Sequence, residues 1–190
     1  DFYRKLKEHL FSRLSGKIGG EEISLSDRGL IDLRHDRIYF HKVLRVNYTT
    51  YDMRRSQDSI NPRTHSDIIV RSSDPDTPYW YARVLGIFHA DVKYDKQPYR
   101  QTDFLWVRWF VNDACQDKFN LRKRKLPRVH FIDSLDDCAF GFVDPNDVVR
   151  AAHLIPAFHF GRTKSYMGQS ALGRRESDGD KDWVKFYVGV

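Results

Sequence analysis

Two long alternating stretches constrain this chain more than anything else in it. They are "YWYARVLGIFHADV" (Tyr79–Val92) and "DFLWVRWFVND" (Asp103–Asp113). Trp80, Ala82, Val84, Gly86 and Phe88 share one face of the first, and Leu105, Val107, Trp109 and Val111 share one face of the second. A period of two with β-branched and aromatic residues is the signature of strands. The intervening "KYDKQPYRQT" is polar and carries Pro98, so it reads as a hairpin-type loop. A chain holding such a hairpin must organise itself around a sheet.

Other segments agree. In "RIYFHKVLRVNY" (Arg37–Tyr48), Ile38, Phe40, Lys42, Leu44 and Val46 alternate with a mixed face. "SDIIVRSS", "RVHFID", "AFGFVDP", "VVRAAHLIPAFHF" and the closing "DWVKFYVGV" supply further short strands. Short strands separated by turn signals predict a small barrel or sandwich. One helix stands apart: Phe2, Leu6, Leu10 and Leu14 recur every fourth residue with Phe11 beside them, and Gly16 is a natural stop. The expected division is a helix and linker over 1–36 and a β domain over 37–190.

With 190 residues, 41% of them hydrophobic, the chain can form one sizeable core. No apolar run is long enough to span a bilayer. Two cysteines, Cys115 and Cys138, make no disulfide framework and favour a reducing compartment. The formal charge of +6 favours polyanionic partners. A chain that opens at Asp1 and ends within a strand-like run reads as a piece of a longer protein.

Two polar segments carry the candidate chemistry. "NYTTYDMRRSQDSINPRTH" (Asn47–His65) offers Arg54, Arg55 and Arg63 with Gln57, Asn61 and His65. Guanidinium forks suit phosphates and guanine edges, and amides suit adenine edges. The same stretch reads equally as an ordered connector, stiffened by Asp58, Ser59, Asn61, Thr64 and Pro62. A metal-dependent nuclease would instead use Asp52, Asp58, His65 and Asp67, although their spacing puts them on no common face. The run Arg122, Lys123, Arg124, Lys125 and Arg128 suits DNA phosphates, nuclear import or a solvated loop. His41, His130, His153 and His159 show no close metal-ligand spacing with either cysteine, so no metal or other cofactor is expected. Neither a nucleophile elbow nor a phosphate-cradling glycine loop is present, and the chain is expected to be non-catalytic.

"PYWYARVLGIF" followed by "LWVRWF", then "DPNDVVRAAHLI" and "DWVKFYVG", resembles in order the bromo-adjacent homology (BAH) module over about Asp67–Val190. Trp109-Phe110-Val111-Asn112-Asp113 stands where that module carries Trp-Tyr-Tyr-Arg-Pro. A second resemblance covers about Arg37–Val190. "YTTYDMRRSQDSINPRTHSDI", "PYWYARVLGIFHADV", "FLWVRWF", "FGFVDPNDVVRAAHLIPAF" and "GRTK" look like the C-terminal part of fungal transposon proteins of the Plavaka and Kyakuja–Dileera–Zisupton type. These resemblances imply a mostly β fold: a small distorted BAH-like barrel with an N-terminal helix and long polar loops. They imply a nuclear, transposon-encoded chromatin or DNA recognition module that binds a histone tail, a nucleosome or DNA. The aromatic walls implied for a methyl-lysine pocket are Tyr79, Tyr81, Trp106 and Trp109. On a regular strand Trp106 and Trp109 face opposite sides, so only one of them can line such a pocket. Two alternatives stand beside this reading: the nuclease or transposase accessory lobe, and a structural lobe that packs on an upstream transposase domain through the Phe2–Leu14 stripe.

Overall fold

The computed structural model of the protein describes residues 1–16, 23–72, 74–75, 77–113, 126–170, 172–174 and 178–189. Helix α1 (Phe2–Ser15) is followed by the short α2 (Leu25–Gly29) and then by strands. These are β1 (Ile31–Leu33), β2 (Tyr39–His41), β3 (Leu44–Thr49), β4 (Arg55–Ile60), β5 (Asp67–Arg71), β6 (Tyr79–Tyr94) and β7 (Arg100–Asn112). Then come β8 (Arg128–Phe131), β9 (Phe140–Val143), β10 (Val148–Ala151), β11 (His153–Pro156), β12 (Arg162–Thr163), β13 (Asp182–Trp183) and β14 (Phe186–Gly189). The fold is mostly β with an N-terminal helix. Among the described residues no helix is long and apolar enough to cross a membrane.

The β6–β7 hairpin is the spine. The main antiparallel ladder runs β10-β5-β6-β7-β8-β14-β11, with β1 and β2 also on β6 and β9 also on β7. A register shift between Val84 and Gly86 bends the hairpin. Its first half pairs with β5 and its second with β2 and β1. The ladder is open, so the closed barrel expected from sequence does not form among the described residues. Its two edges are nonetheless consecutive pieces of chain. β10 and β11 meet at Ala152, whose N–H donates to the Asp67 carbonyl at 2.8 Å. That kink gives each piece its own partner, β5 or β14, instead of joining the edges.

Three apolar clusters fill the molecule. Ile68, Val84, Leu105 and Val107 centre the first. Leu6, Leu10, Phe11, Ile31, Leu33, Val92 and Phe104 form the second, beneath α1. Phe110, Val129, Phe131, Phe186 and Val188 form the third. Gly16 ends α1 in the left-handed conformation, φ 71°. The helix stripe is thus spent on the protein's own sheet and is not left over for an upstream domain. Because β1 pairs with β6 and α1 lies over the sheet, α1 and β1 share the core of the β domain rather than forming a separate unit.

Beside the third cluster lies a set of buried ions. Arg108 donates to both oxygens of Asp182, at 3.1 and 3.0 Å, and Arg174 grips the same carboxylate at 3.0 and 2.9 Å. Arg83 forks onto Asp67 at 2.7 and 3.1 Å and reaches Asp178 at 2.9 Å. The Arg108 guanidinium lies 3.8 Å from the centre of the Phe131 ring.

Candidate nucleic-acid interface

The polar stretch Asn47–His65 is not a connector. Its middle forms β4, which pairs with β3 in a two-stranded ribbon outside the main sheet. The predicted single strand over Arg37–Tyr48 is accordingly two, β2 on β6 and β3 in the ribbon. Leu44 and Val46 pack against the first core cluster and Ile60 is buried in it, while the Tyr48 ring carries the Arg150 guanidinium at 4.7 Å. Asp58 accepts the Ala151 N–H at 2.9 Å, tying β4 to β10. These contacts fix one face inward. By the pleat, the other face must point out.

That outward face holds Arg45, Asn47 and Thr49 on β3 and Arg55, Gln57 and Ser59 on β4, all exposed. Register sets Arg45 opposite Ser59, Asn47 opposite Gln57 and Thr49 opposite Arg55. Gln57 Nε2 donates to Asn47 Oδ1 at 2.7 Å. The connecting turn is held by Thr50, whose hydroxyl accepts the Arg54 N–H at 3.1 Å, with Met53 at φ 60°. Arg54 lies at this tip, 3.1 Å from Asp52. Such an exposed pair is weak and is readily exchanged for a phosphate. Arg63 sits beyond the far end of β4, in a turn closed by its own N–H onto Asn61 Oδ1 at 2.8 Å.

The other candidates scatter. Arg128 lies on β8 with its Nε 3.7 Å from Asp113, which also receives Lys185 at 2.5 Å. Burial pushes the Asp113 carboxyl up, but Lys185, His130 and Arg128 outweigh it and hold it below its ordinary value. Arg128 therefore belongs to a partly buried ion cluster around Asp113. Arg122, Lys123, Arg124, Lys125 and Cys115 lie outside the described residues.

The four aromatic walls do not meet. Trp106 is packed among Phe2, Phe140 and Phe142, with ring centres 5.0, 5.8 and 4.7 Å away. Trp109 lies on the opposite face, edge-on to Trp80 at 5.9 Å. Tyr81 packs against the third cluster, where burial, and then Tyr79, pushes its hydroxyl up. Tyr79 is exposed. A strand that alternates cannot gather side chains from both of its faces around one ammonium.

Nor do the acidic residues converge on an ion. Asp52 pairs with Arg54, Asp58 caps the Ala151 N–H, Asp67 is buried against Arg83, and His65 Nδ1 lies 3.3 Å from the Thr64 hydroxyl. Asp52 and His65 are partnered within their own turns, and Asp58 and Asp67 by β10 and β6, so the four are not brought together.

Arg45 and Asn47 join the interface without having stood out in the sequence. A signal for them exists: Arg45, Asn47 and Thr49, and then Arg55, Gln57 and Ser59, are two polar alternations flanking "TYDMR". Compared with known protein families, curated proteins and solved structures, the chain matches none.

Proposed function

We propose that the protein is a non-catalytic recognition module that binds DNA through the outward face of the β3–β4 ribbon. One observation carries this: a six-residue antiparallel pair, seated on the sheet by one face, presents arginines and amides on the other. Six residues at about 3.4 Å each span about 20 Å, and two strands lie about 4.8 Å apart. A ribbon of that size enters a major groove about 12 Å wide. Arg45, Arg54 and Arg55 suit phosphates and guanine edges. The bond between Gln57 and Asn47 uses Gln57 Nε2 and Asn47 Oδ1, and the pair also carries a second donor, Asn47 Nδ2, and a second acceptor, Gln57 Oε1. Adenine offers the complementary N7 acceptor and N6 donor in the major groove.

The formal charge of +6 supports the same reading. A BAH-like identity, a transposon origin and work in the nucleus belong to this proposal, on the strength of the ordered aromatic motifs. A histone tail is the second reading. It is favoured by one feature, the Trp80–Trp109 corner, where Trp80 is 42% exposed.

Fluorescence anisotropy with a labelled duplex, at low and at moderate salt, tests the proposal. The intact chain is expected to bind, more weakly as salt rises. Replacing Arg45, Arg54 and Arg55 together by alanine should weaken binding and flatten the salt dependence, by about 0.9 in log–log slope for each phosphate no longer neutralised. Asn47→Ala with Gln57→Ala should change base preference more than affinity for random sequence. Absence of binding at low salt, or a triple variant indistinguishable from wild type, would refute it. A histone-peptide array decides the second reading.

A further inference from the structure

We infer that His41, His89 and Asp103 form a binding site for a zinc-class divalent cation. The three residues are distant in sequence and are joined by strand register. On β2, Tyr39 lies opposite His89 of β6, and His41 lies opposite Ile87. On β7, Asp103 lies directly opposite His89. The pleat therefore puts His41, His89 and Asp103 on one face, across three neighbouring strands. It is the face that carries Ile87 and Leu105 into the first core cluster, continued out to solvent.

The donor atoms of all three lie within 4.8 Å of one another. His41 Nε2 faces His89 Nδ1 at 2.5 Å. Zinc ligands at about 2.0–2.1 Å in tetrahedral geometry stand roughly 3.3 Å apart. The two nitrogens therefore part by a little under 1 Å and the carboxylate draws in, adjustments that side-chain rotation can supply at an exposed site. Two details around the donors resemble the outer layer of a metal site. The Tyr39 ring stacks on His89, centres 4.7 Å apart and planes 11° apart, which fixes the imidazole. Gln101 Nε2 donates to Asp103 Oδ1 at 3.3 Å, which orients the carboxylate.

The donor set selects the ion. Two imidazoles and one carboxylate suit zinc and its transition-metal neighbours, whereas magnesium and calcium demand oxygen. His41 and Asp103 are exposed, so a fourth position opens to water. The ion would clip β2, whose three residues are all exposed, to the β6–β7 spine. Since β3 begins only three residues after His41, this clip lies at the root of the ribbon. The inference does not depend on what the ribbon binds.

The test uses the whole 190-residue chain without a polyhistidine tag, stripped by chelator and titrated with zinc against a chromogenic competitor. One zinc per chain is expected to remain after desalting. The melting temperature should rise with zinc and not with magnesium. His41→Ala and His89→Ala should each abolish the bound zinc, and Gln101→Ala should weaken it about tenfold. Cobalt substitution, read by its visible absorption, gives a second readout that a stability change alone does not move. The inference fails if no zinc is retained. It also fails if a folded His41→Ala/His89→Ala double variant keeps wild-type stoichiometry and affinity.

Discussion

Phe104 and Trp106 occupy the same face of β7 as Arg108 and Phe110, yet the two halves of that face are covered in opposite ways. The first half is aromatic and free of charge: Phe104 stands against Phe88 and Phe142, and Trp106 against Phe2. The second half buries ions. Arg108 is fully buried, and Asp182 and Arg174 are nearly so. The difference lies in the cover. A helix such as α1 satisfies its own backbone and brings Leu6, Leu10 and Phe11 to the contact. The chain over the other half is glycine- and serine-rich, and its apolar contribution comes from separate side chains, Tyr166, Met167 and Trp183, rather than from one continuous stripe. Its described residues are held by Arg174, which donates to the Gly168 carbonyl at 2.6 Å and the Met167 carbonyl at 2.5 Å while gripping Asp182. Where a cover has no continuous apolar stripe, guanidinium forks add the attachment that its scattered apolar side chains do not complete.

Removing the shared carboxylate is the hardest way to break this contrast. Asp182→Ala leaves Arg108 and Arg174 buried without their counter-ion. The expected loss, measured by urea unfolding, is about 3–5 kcal/mol. Converting the whole triad to apolar residues (Arg108→Met, Arg174→Met and Asp182→Leu) should instead restore stability to near wild type, because the desolvation cost goes with the charges. If the single variant is harmless, the ion cluster does not hold the cover. If the triple variant is as weak as the single, the ions supply something that packing cannot.

Acid separates the two halves more gently. His9 lies on α1 beside Phe142, and its Nε2 is buried without a partner among the described residues. Burial, and then nearby Arg13, pulls its pKa from 6.5 to about 3. Neutral imidazole is thus the folded form, while the unfolded chain takes up a proton below 6.5. The contribution is complete above pH 6.5 and is lost progressively as pH falls toward 3. At the other half, burial pushes Asp182 up, but hydrogen bonds from Arg108 and Arg174 outweigh it and hold the carboxyl below its ordinary 3.8. That contribution is intact above 3.8 and is lost only below it. Between pH 6.5 and 4.5 the helix-covered half should weaken through His9 by about 2 kcal/mol, and His130 on β8, whose pKa burial also lowers, adds a loss of its own on the other half. His9→Leu should remove the His9 share of that slope, about 2 kcal/mol, while leaving stability at neutral pH unchanged or higher. A slope unchanged by His9→Leu would place the acid sensor elsewhere.

What could be read from sequence was whatever relied on local period. The α1 stripe and its Gly16 stop were legible because helix contacts recur at fixed spacing. The β6–β7 hairpin was legible from its alternation, and so were the opposite orientations of Trp106 and Trp109. The single face expected to carry Trp80, Ala82, Val84, Gly86 and Phe88 was not: the register shift between Val84 and Gly86 sends Ala82 and Val84 to the first cluster and Phe88 to the second. β4 was not, because its inward residues Ser56, Asp58 and Ile60 include one aliphatic side chain. Its strand character comes from pairing with β3 and from Asp58 holding the Ala151 N–H, contacts that no local window contains. The gathering of His41, His89 and Asp103 was hidden for the same reason: only the register of β2 and β7 on β6 makes them neighbours. An aromatic cage was expected from residue types; the actual packing sent Trp106 beneath α1 and Tyr81 to the third cluster.

The boundary between the two halves runs through Gly86, and it offers the mildest test. Gly86 lies opposite Trp106, just past the register shift after Val84. On this face, Tyr81 and Arg83 before it serve the ion-bearing half, and Phe88 and Ala90 after it serve the helix-covered half. A Cβ at Gly86 would fall 2.3 Å from Cε2 and 2.5 Å from Cζ of the Phe88 ring. That ring is edge-on to Phe2 and Phe40 and stacked on Phe104, so it cannot move without disturbing the aromatic pile. The colliding atoms are at the far end of a side chain, which can swing partly away. The cost of Gly86→Ala should therefore sit at the low end for overpacking, about 1 kcal/mol. Its location matters more than its size. Amides of α1 and β1 should exchange with solvent faster, while those of β8 and β14 keep their protection. Phe88→Leu in the same chain removes the colliding atoms and should recover most of the loss. If Gly86→Ala costs the same beside Phe88→Leu, the glycine is required by the backbone of the bulge and not by the ring. If protection falls equally in β14, the two halves are one cooperative unit and their different covers do not isolate them.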